Sequence, residues 1–223
     1  NFRTTDTLSR AEACVLFLRA LDRLGGAPEK SDCILDYQYQ PPAQPLQTVR
    51  GGVSENGALQ VVGTQLCNER GEPILLRGMS SHGLQWYGQF ASPGAMASTA
   101  QRGANLFRVA MYTGEGGYLS HPQDMEKKAV AAVDAAIAQD LYVILDWHIL
   151  SDGDPTAHLD EARDFFTRMA KRYKDSPNVL FEICNEPNGN VTWAGQVKPY
   201  AQQVVKAIRD QGADNVILIG SPT

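Results

Sequence analysis

The chain has 223 residues, of which 43% are hydrophobic and 20% are charged, and its formal net charge at pH 7 is −5. This composition is typical of a globular protein, and the length suits one α/β domain or a small domain joined to a larger one. A net negative charge gives no support for nucleic-acid binding, which normally needs a basic face. The sequence contains no apolar run of about 18 residues, so we expect no membrane span.

Residues 1–26 predict an amphipathic helix, in which Ser9 and Glu12 form a capping box and a pair of glycines ends the helix. Residues 27–56 contain several prolines and glycines and few aliphatic side chains, which predicts a linker. The main domain is then expected at residues 57–223.

The start of the main domain predicts a β-hairpin. Two short apolar runs, residues 59–62 and 73–76, lie on either side of a turn sequence at residues 68–71. The second run continues into residues 77–82, which we interpret as the first strand of the main sheet.

A regular alternation of strands and helices follows. Apolar runs begin at residues 106, 142, 179 and 215, so their starts lie 36, 37 and 36 residues apart. The predicted strands are residues 106–110, 142–146, 179–183 and 215–219. The predicted helices are residues 124–138, 158–174 and 197–211, the last of them stopped by Gly212. Continuous apolar strands separated by amphipathic helices predict a parallel sheet covered by helices.

Such a sheet is either doubly wound or closed into a barrel. A doubly wound nucleotide-binding domain would have a glycine-rich turn after its first strand. Residues 82–88 are instead rich in aromatic side chains. The sequence therefore favours an α/β fold of the (β/α)8 barrel type, with about the first five βα units in this chain.

Polar side chains recur where the predicted strands end. They are His82, Arg108, Tyr112, Asp146, His148, Asn185 and Glu186. In a parallel barrel the strands' carboxyl ends meet at one rim, where catalytic residues lie. Taken singly, Arg108 is equally well explained as a buried ion-pair partner and His148 as a hydrogen-bonded loop histidine. Polar groups at the ends of four strands are costly to bury unless they bind something, so we predict a site there.

The junction at Glu186 is the most informative. An apolar run at residues 179–184 ends in Asn185, Glu186 and Pro187, and the proline prevents the strand from continuing. A glutamate held at this rim, partly shielded from water, suits proton transfer near neutral pH. The alternative for the tripeptide alone is a surface glutamate in a βα turn.

Aromatic residues near the strand ends indicate the kind of ligand. They are Trp86, Tyr87, Tyr112, Trp147 and Trp193. Flat aromatic faces beside hydrogen-bonding groups suit pyranose rings. Trp86 and Tyr112 are the better stacking candidates, whereas we expect Trp147 to pack structurally.

Four segments in order carry a family resemblance: residues 78–87 (GMSSHGLQWY), 107–112 (FRVAMY), 143–150 (VILDWHIL) and 182–188 (EICNEPN). They closely resemble glycoside hydrolase family 5, and within it the bacterial endo-β-1,4-glucanases, over residues 57–223. The resemblance implies a (β/α)8 barrel that hydrolyses cellulose-type β-1,4-glucan with retention, using two glutamates and neither a metal nor another cofactor. It also implies an extracellular or cell-surface bacterial protein.

The resemblance assigns roles to individual residues. Glu186 matches the general acid/base, Asn185 the residue that binds the sugar 2-hydroxyl, and Arg108 a residue close to the nucleophile. His82, Tyr112 and His148 match residues that line the −1 region, and Trp86 matches part of a glycone-side platform. A retaining acid must be protonated to release the leaving group and ionised to activate water.

The matching nucleophile is missing from the sequence. The family places it after the seventh strand, whereas this sequence ends just past the fifth, with about 170 residues in the main domain against roughly 250 in a typical barrel. We therefore expect the nucleophile and the remainder of the barrel in a second chain or a missing C-terminal part, and no glucan hydrolysis by this chain alone.

Two alternatives and one weaker resemblance complete the predictions. One alternative is a non-catalytic glycan-binding barrel fragment. The other is a metal-dependent hydrolase that uses Asp146, His148 and His82. Residues 1–26 weakly resemble part of an S-layer homology repeat, which would bind cell-wall polysaccharide, although an unrelated leading helix explains them equally well.

Overall fold

The computed structural model describes residues 48–222. In this part of the chain the strands are β1 (Gln60–Val62), β2 (Gln65–Cys67), β3 (Gly78–Ser80), β4 (Leu106–Tyr112), β5 (Tyr142–His148), β6 (Val179–Glu182) and β7 (Ile217–Leu218). The helices are α1 (Val53–Asn56), α2 (Leu84–Tyr87), α3 (Pro93–Gln101), α4 (Pro122–Ile137), α5 (Leu159–Tyr173) and α6 (Lys198–Arg209). The predictions for residues 1–47 lie outside the described residues.

The centre of the molecule is a sheet of five parallel strands that pair in chain order, from β3 to β7. Helices connect each strand to the next, as the repeating apolar runs predicted. The four later strands and helices α4, α5 and α6 confirm the predicted alternation, with ends that differ by a few residues. The last helix is followed by Gly212, whose φ of 75° stops it as expected.

The two faces of the central strands differ in the way that strand alternation requires. On β5, Val143, Leu145 and Trp147 face the helices, while Ile144, Asp146 and His148 lie on the opposite face. Register pairs Asp146 with Ala110 of β4 and with Glu182 of β6, so polar positions from neighbouring strands lie side by side on the same face.

The outer face of the sheet is closed by an aromatic cluster. Trp147 is fully buried, and its ring centroid lies 5.4 Å from that of Phe165 and 4.9 Å from that of Tyr118. Phe166 lies between Phe165 and Phe181, joining β6 to α5. The structural role expected for Trp147 is therefore confirmed.

The predicted hairpin is wrong in its second strand. Residues 60–62 pair with residues 65–67, and the turn falls at Gly63, whose φ of 67° suits a tight reversal. Residues 73–76 instead form isolated bridges, one from Pro73 to Cys67 and one from Ile74 to Val49. The predicted turn at residues 68–71 is present, since Gly71 donates its backbone N–H to the carbonyl oxygen of Asn68 and has a φ of 80°. It leads from residues 65–67 to the bridge at Pro73 and does not join the two predicted strands.

Residues 48–56, which the sequence assigned to the linker, pack against the amino-terminal side of the sheet. Val53 is buried, and Ser54 donates from its backbone and from its hydroxyl to Asp140 at 2.7 and 2.6 Å. Asn105 ties the same region together by donating to the carbonyl oxygens of Gly51 and Leu75. This part of the predicted linker is therefore packed structure.

Helix α3 is an element that the sequence prediction missed. It begins at Pro93 after Ser92, whose hydroxyl oxygen accepts from the backbone N–H of Ala95. Its residues are mostly small, and Met96 is its buried apolar side chain, so no clear apolar stripe marks it.

The sheet has two open edges within residues 48–222, because β3 and β7 each pair with one strand only. Met79 on β3 is 61% exposed, which is unusual for a methionine at the centre of a parallel strand. None of the helices in the described range has the length and apolar character needed to cross a membrane.

We predict that Phe165→Ala lowers the free energy of unfolding by about 3–5 kcal/mol, because it removes a buried ring from the Trp147 cluster. Urea unfolding followed by tryptophan fluorescence measures this. Phe90→Ala is the control, since Phe90 is 62% exposed and its loss should change stability by no more than about 0.5 kcal/mol. Equal effects of the two changes would contradict the described packing.

Candidate active site

The carboxyl ends of the strands bring the predicted polar residues to one side of the sheet. Arg108, Tyr112, Asp146 and His148 occupy the same face of β4 and β5, as strand alternation and register require. His82 lies just after β3, and Asn185 and Glu186 lie just after β6.

Arg108 is at the centre of this group. Its Nε donates to Glu182 Oε2 at 2.7 Å and its Nη2 donates to Glu182 Oε1 at 2.9 Å, which makes a two-point ion pair. The same Nη2 lies 2.8 Å from Asp146 Oδ2 and donates to Asn185 Oδ1 at 2.9 Å. The guanidinium therefore joins β4, β5, β6 and the segment that carries Glu186.

The charges in this cluster shift the pKa values of its members. Burial, and then the charge of Asp146, raise the pKa of Glu182 from 4.5 to about 7, although Arg108 acts in the opposite direction. Burial acts to lower the pKa of Arg108, but Asp146 and Glu182 outweigh it and the pKa is raised. Arg108 therefore stays charged, while Glu182 takes up a proton near neutral pH.

Asp146 and His148 form a second chain of contacts. Asp146 is fully buried, and its Oδ2 lies 2.6 Å from His148 Nδ1, so Nδ1 carries the proton. His148 Nε2 lies 3.5 Å from Asn185 Nδ2, and Asn185 Nδ2 also donates to the carbonyl oxygen of Ile149 at 3.1 Å. Asn185 is thus held from β4 and from the end of β5.

A row of aromatic rings leads away from His148. Tyr112 stacks on His148 with ring centroids 4.2 Å apart and on His82 at 5.5 Å. Trp86 meets Tyr112 edge-on at 5.4 Å and is 46% exposed, so part of its face is open to a ligand. Trp86 and Tyr112 are therefore adjacent, as a stacking platform requires.

Glu186 directly follows Asn185 after the end of β6 and is half-buried. Its charge contributes to the raised pKa of Arg108, so the two side chains lie near enough to interact electrostatically. Asn188 fixes its backbone by donating to the carbonyl oxygens of Glu186 at 2.9 Å and Leu150 at 2.8 Å. A carboxylate, an amide, an imidazole and aromatic faces at one edge of the sheet are groups suited to sugar binding and proton transfer.

The comparisons with known proteins agree with this geometry. A family model described as cellulase (glycosyl hydrolase family 5) matches residues 67–223. The chain belongs to glycosyl hydrolase family 5. Its five parallel strands are therefore part of a (β/α)8 barrel, and the predicted fold class is confirmed.

Individual family 5 relatives are endoglucanases. The chain is 48% identical over 171 residues to an endoglucanase of Clostridium saccharobutylicum, a match that covers 76% of this chain and 38% of the relative. It is 46% identical over 172 residues to endoglucanase N of Pectobacterium atrosepticum, covering 77% of this chain and 38% of the relative. The chain therefore spans less than half the length of these relatives.

Solved family 5 structures resemble the chain as well. The crystal structure of the catalytic domain of the Thermobifida fusca endoglucanase Cel5A has a TM-score of 0.74 and 43% identity, covering 78% of this chain and 57% of that chain. A variant of the same catalytic domain has been solved in complex with cellotetraose, with the same TM-score of 0.74.

Glu182 is the site residue that the sequence prediction missed. Glu182 lies within an apolar run, so the sequence analysis counted it as a strand residue and not as a site residue. One signal in the sequence could have revealed it. Burying a carboxylate on an apolar strand costs free energy unless the carboxylate has a partner, so Glu182 should have been assigned one. The sequence proposed Arg108 as a buried ion-pair partner but could not name the acid across two strands.

The metal-dependent alternative receives no support from the arrangement of its three residues. Asp146 contacts His148, but the ring of His82 packs on Tyr112 and Trp86. Within residues 48–222, no group of three histidine, cysteine, aspartate or glutamate side chains is placed to hold a metal ion.

We predict that Glu182→Gln reduces the pH dependence of stability. Since its pKa is raised from 4.5 to about 7 on folding, the contribution of Glu182 is fully present below pH 4.5 and is lost as the pH rises through about 7. Glutamine does not titrate, so the free energy of unfolding should fall less across this range in the variant. Urea unfolding at several pH values measures this difference. The same change in the free energy of unfolding with pH in both proteins would contradict the prediction.

We predict that Gly220→Ala disturbs the site from the neighbouring strand end. A Cβ at Gly220 would overlap the backbone carbonyl oxygen of Asn185, so the segment that carries Glu186 would have to move. We expect a loss of stability of about 1–3 kcal/mol from this overpacking. Gly94→Ala is the matched control, because a Cβ there has open space and Gly94 lies in helix α3. Similar stabilities of the two variants in urea unfolding would contradict the close contact.

Proposed function

We propose that this chain supplies the acid/base half of an endo-β-1,4-glucanase that hydrolyses cellulose-type glucan with retention. The observation that carries the proposal is the position of Glu186, next to Asn185 and the Arg108 cluster, at the strand ends of a family 5 chain. The endoglucanase relatives support the substrate class.

The proposed roles are those that the family resemblance implies, and the contacts of each side chain support them. Glu186 protonates the glycosidic oxygen as the leaving group departs and then takes a proton from the attacking water. Asn185, held by Arg108 and by the carbonyl of Ile149, offers its amide to the sugar 2-hydroxyl. His148 contributes Nε2 to the same region, because its Nδ1 is bound to Asp146.

The aromatic row is the proposed sugar-binding surface. Trp86 presents an exposed face, and Tyr112 and His82 are packed beside it. Sugar rings stack on such faces through their C–H groups while their hydroxyls meet the polar residues. The complex of cellotetraose with a relative supports a β-1,4-glucan oligosaccharide as ligand.

The nucleophile is proposed to come from polypeptide outside this chain, either a second chain or a C-terminal continuation that completes the barrel. The sheet's two edges, β3 and β7, are where further strands would pair. Because polymeric cellulose does not enter cells, we place the activity outside the cell or at its surface. Attachment through residues 1–26 stays a prediction.

A second candidate is a glycan-binding fragment that keeps the aromatic surface without turnover. The exposure of Trp86 favours binding in either case. The two candidates differ in whether bound glucan is cleaved once the barrel is complete.

We predict that Glu186→Gln strongly lowers turnover while glucan binding persists. The chain is co-expressed with the C-terminal part of the Thermobifida fusca endoglucanase catalytic domain, chosen to supply the remaining strands, and release of reducing sugar from cellotetraose is measured. Loss of the proton donor should lower kcat by about 10²–10⁴-fold, and isothermal titration should still detect cellotetraose binding. Glu161→Gln, at an exposed position of helix α5, is the control.

Each outcome of this experiment has a clear reading. Unchanged turnover in the Glu186→Gln protein would contradict its role as acid/base. Binding without sugar release by the wild-type complex would favour the glycan-binding alternative.

A further inference from the structure

Glu182, which has no role assigned above, forms an ion pair with Arg108 across an intervening strand. Its side chain is 15% exposed and lies on β6, whereas its partner Arg108 lies on β4, with β5 between them. Neighbouring strands lie about 4.8 Å apart, so the pair spans roughly 10 Å of sheet. Only a long acid and an arginine reach across this distance, and they meet in a two-point pair at 2.7 and 2.9 Å.

This ion pair is a poor choice for stability alone. Both side chains are largely removed from water, and Asp146 adds a second buried carboxylate to the same guanidinium. Buried ion pairs often stabilise a fold less than apolar side chains of the same volume. The arrangement is better explained by the orientation that it imposes on Arg108.

The pair determines which atoms of Arg108 remain available. Arg108 Nε and Nη2 both donate to the Glu182 carboxylate. Nη2 also contacts Asn185 Oδ1 and Asp146 Oδ2. Within residues 48–222, Arg108 Nη1 donates no hydrogen bond. The guanidinium is therefore fixed in plane and rotation, with one nitrogen left to meet a group that this part of the chain does not provide.

We propose that Glu182 is a positioning residue for the hydrolytic site: its carboxylate locks the Arg108 guanidinium so that Nη2 holds Asn185 beside Glu186 while Nη1 faces the incoming nucleophile carboxylate. Glu182 touches neither the sugar nor the reacting atoms, and acts through Arg108. The catalytic part of this inference rests on the proposed function, whereas the locking of Arg108 does not.

The groups around Glu182 define how pH affects the lock. Arg108 on β4 and Asp146 and His148 on β5 face it, and Leu218 of β7 is its register partner on the other side. A proton on Glu182 leaves one carboxyl oxygen able to accept from Arg108 and weakens the two-point pair. We therefore expect the lock to loosen as the pH falls.

The first arm of the test uses this chain alone and needs no activity. In protein labelled with ¹⁵N-arginine, the Nε–H signal of Arg108, assigned with Arg108→Lys, should exchange slowly with water because it donates to Glu182 Oε2. Glu182→Leu should make this exchange at least about tenfold faster, and Glu182→Gln should give an intermediate rate. Glu126→Leu is the matched control, because Glu126 forms a two-point pair with Arg168 on the outer helices. Unchanged exchange in both Glu182 variants would overturn the proposal.

The second arm uses the completed barrel and cellotetraose. Glu182→Leu should lower kcat about 100-fold with little change in KM, since a misplacement of about 1 Å in a site costs this much. Glu182→Gln should restore part of kcat and should remove the loss of kcat/KM that accompanies protonation of Glu182. Normal kcat in Glu182→Leu, or an equal loss in Glu126→Leu, would overturn the positioning role.

The two arms separate this inference from the proposed function. An inactive wild-type complex would refute the proposed function, while the exchange measurement would still decide whether Glu182 locks Arg108. If Glu182→Leu does not fold, Glu182→Gln decides both arms, because it removes the charge and keeps the shape.

Discussion

The buried guanidinium of Arg108 is the constraint on which the rest of the site depends. One cation is shared between Asp146 and Glu182, so neither carboxylate faces the interior alone. The same cation donates to Asn185, which precedes Glu186. A charge in this position is tolerated only with several partners at once, and those partners fix the strand ends relative to one another.

Strand β5 shows how the sheet serves packing and chemistry together. Trp147 enters the aromatic cluster under helix α5, while its neighbours Asp146 and His148 belong to the site on the opposite face. Because side chains alternate along a strand, a shift of one residue would exchange the two sets. The large buried cluster therefore sets the register that brings the polar residues of β5 to Arg108 and Asn185.

The sequence predicted the parts of the fold that repeat, and the reasons for its failures are local. The strands from 106 onward were recognisable because their apolar runs are continuous and separated by amphipathic helices. The hairpin was assigned the wrong partner because residues 60–62 pair with residues 65–67, a short segment without a continuous apolar run, before the predicted turn at residues 68–71 is reached. Glu182 was missed because the contact with Arg108 is made across β5, and such pairing depends on register rather than on sequence spacing.

The described half of the site is organised by its own contacts. Each partner described for Arg108 lies on β5, on β6 or directly after it, and Asn185 is further held by the end of β5. Under the proposed retaining mechanism the two carboxyl groups would lie about 5–5.5 Å apart, so the proposed completing segment would deliver one carboxylate to a place beside Arg108. Within residues 48–222, Nη1 of Arg108 makes no hydrogen bond, and in the proposal it receives this carboxylate. In the proposed enzyme, Glu186 and Asn185 therefore keep the contacts described here when further strands pair with β3 and β7.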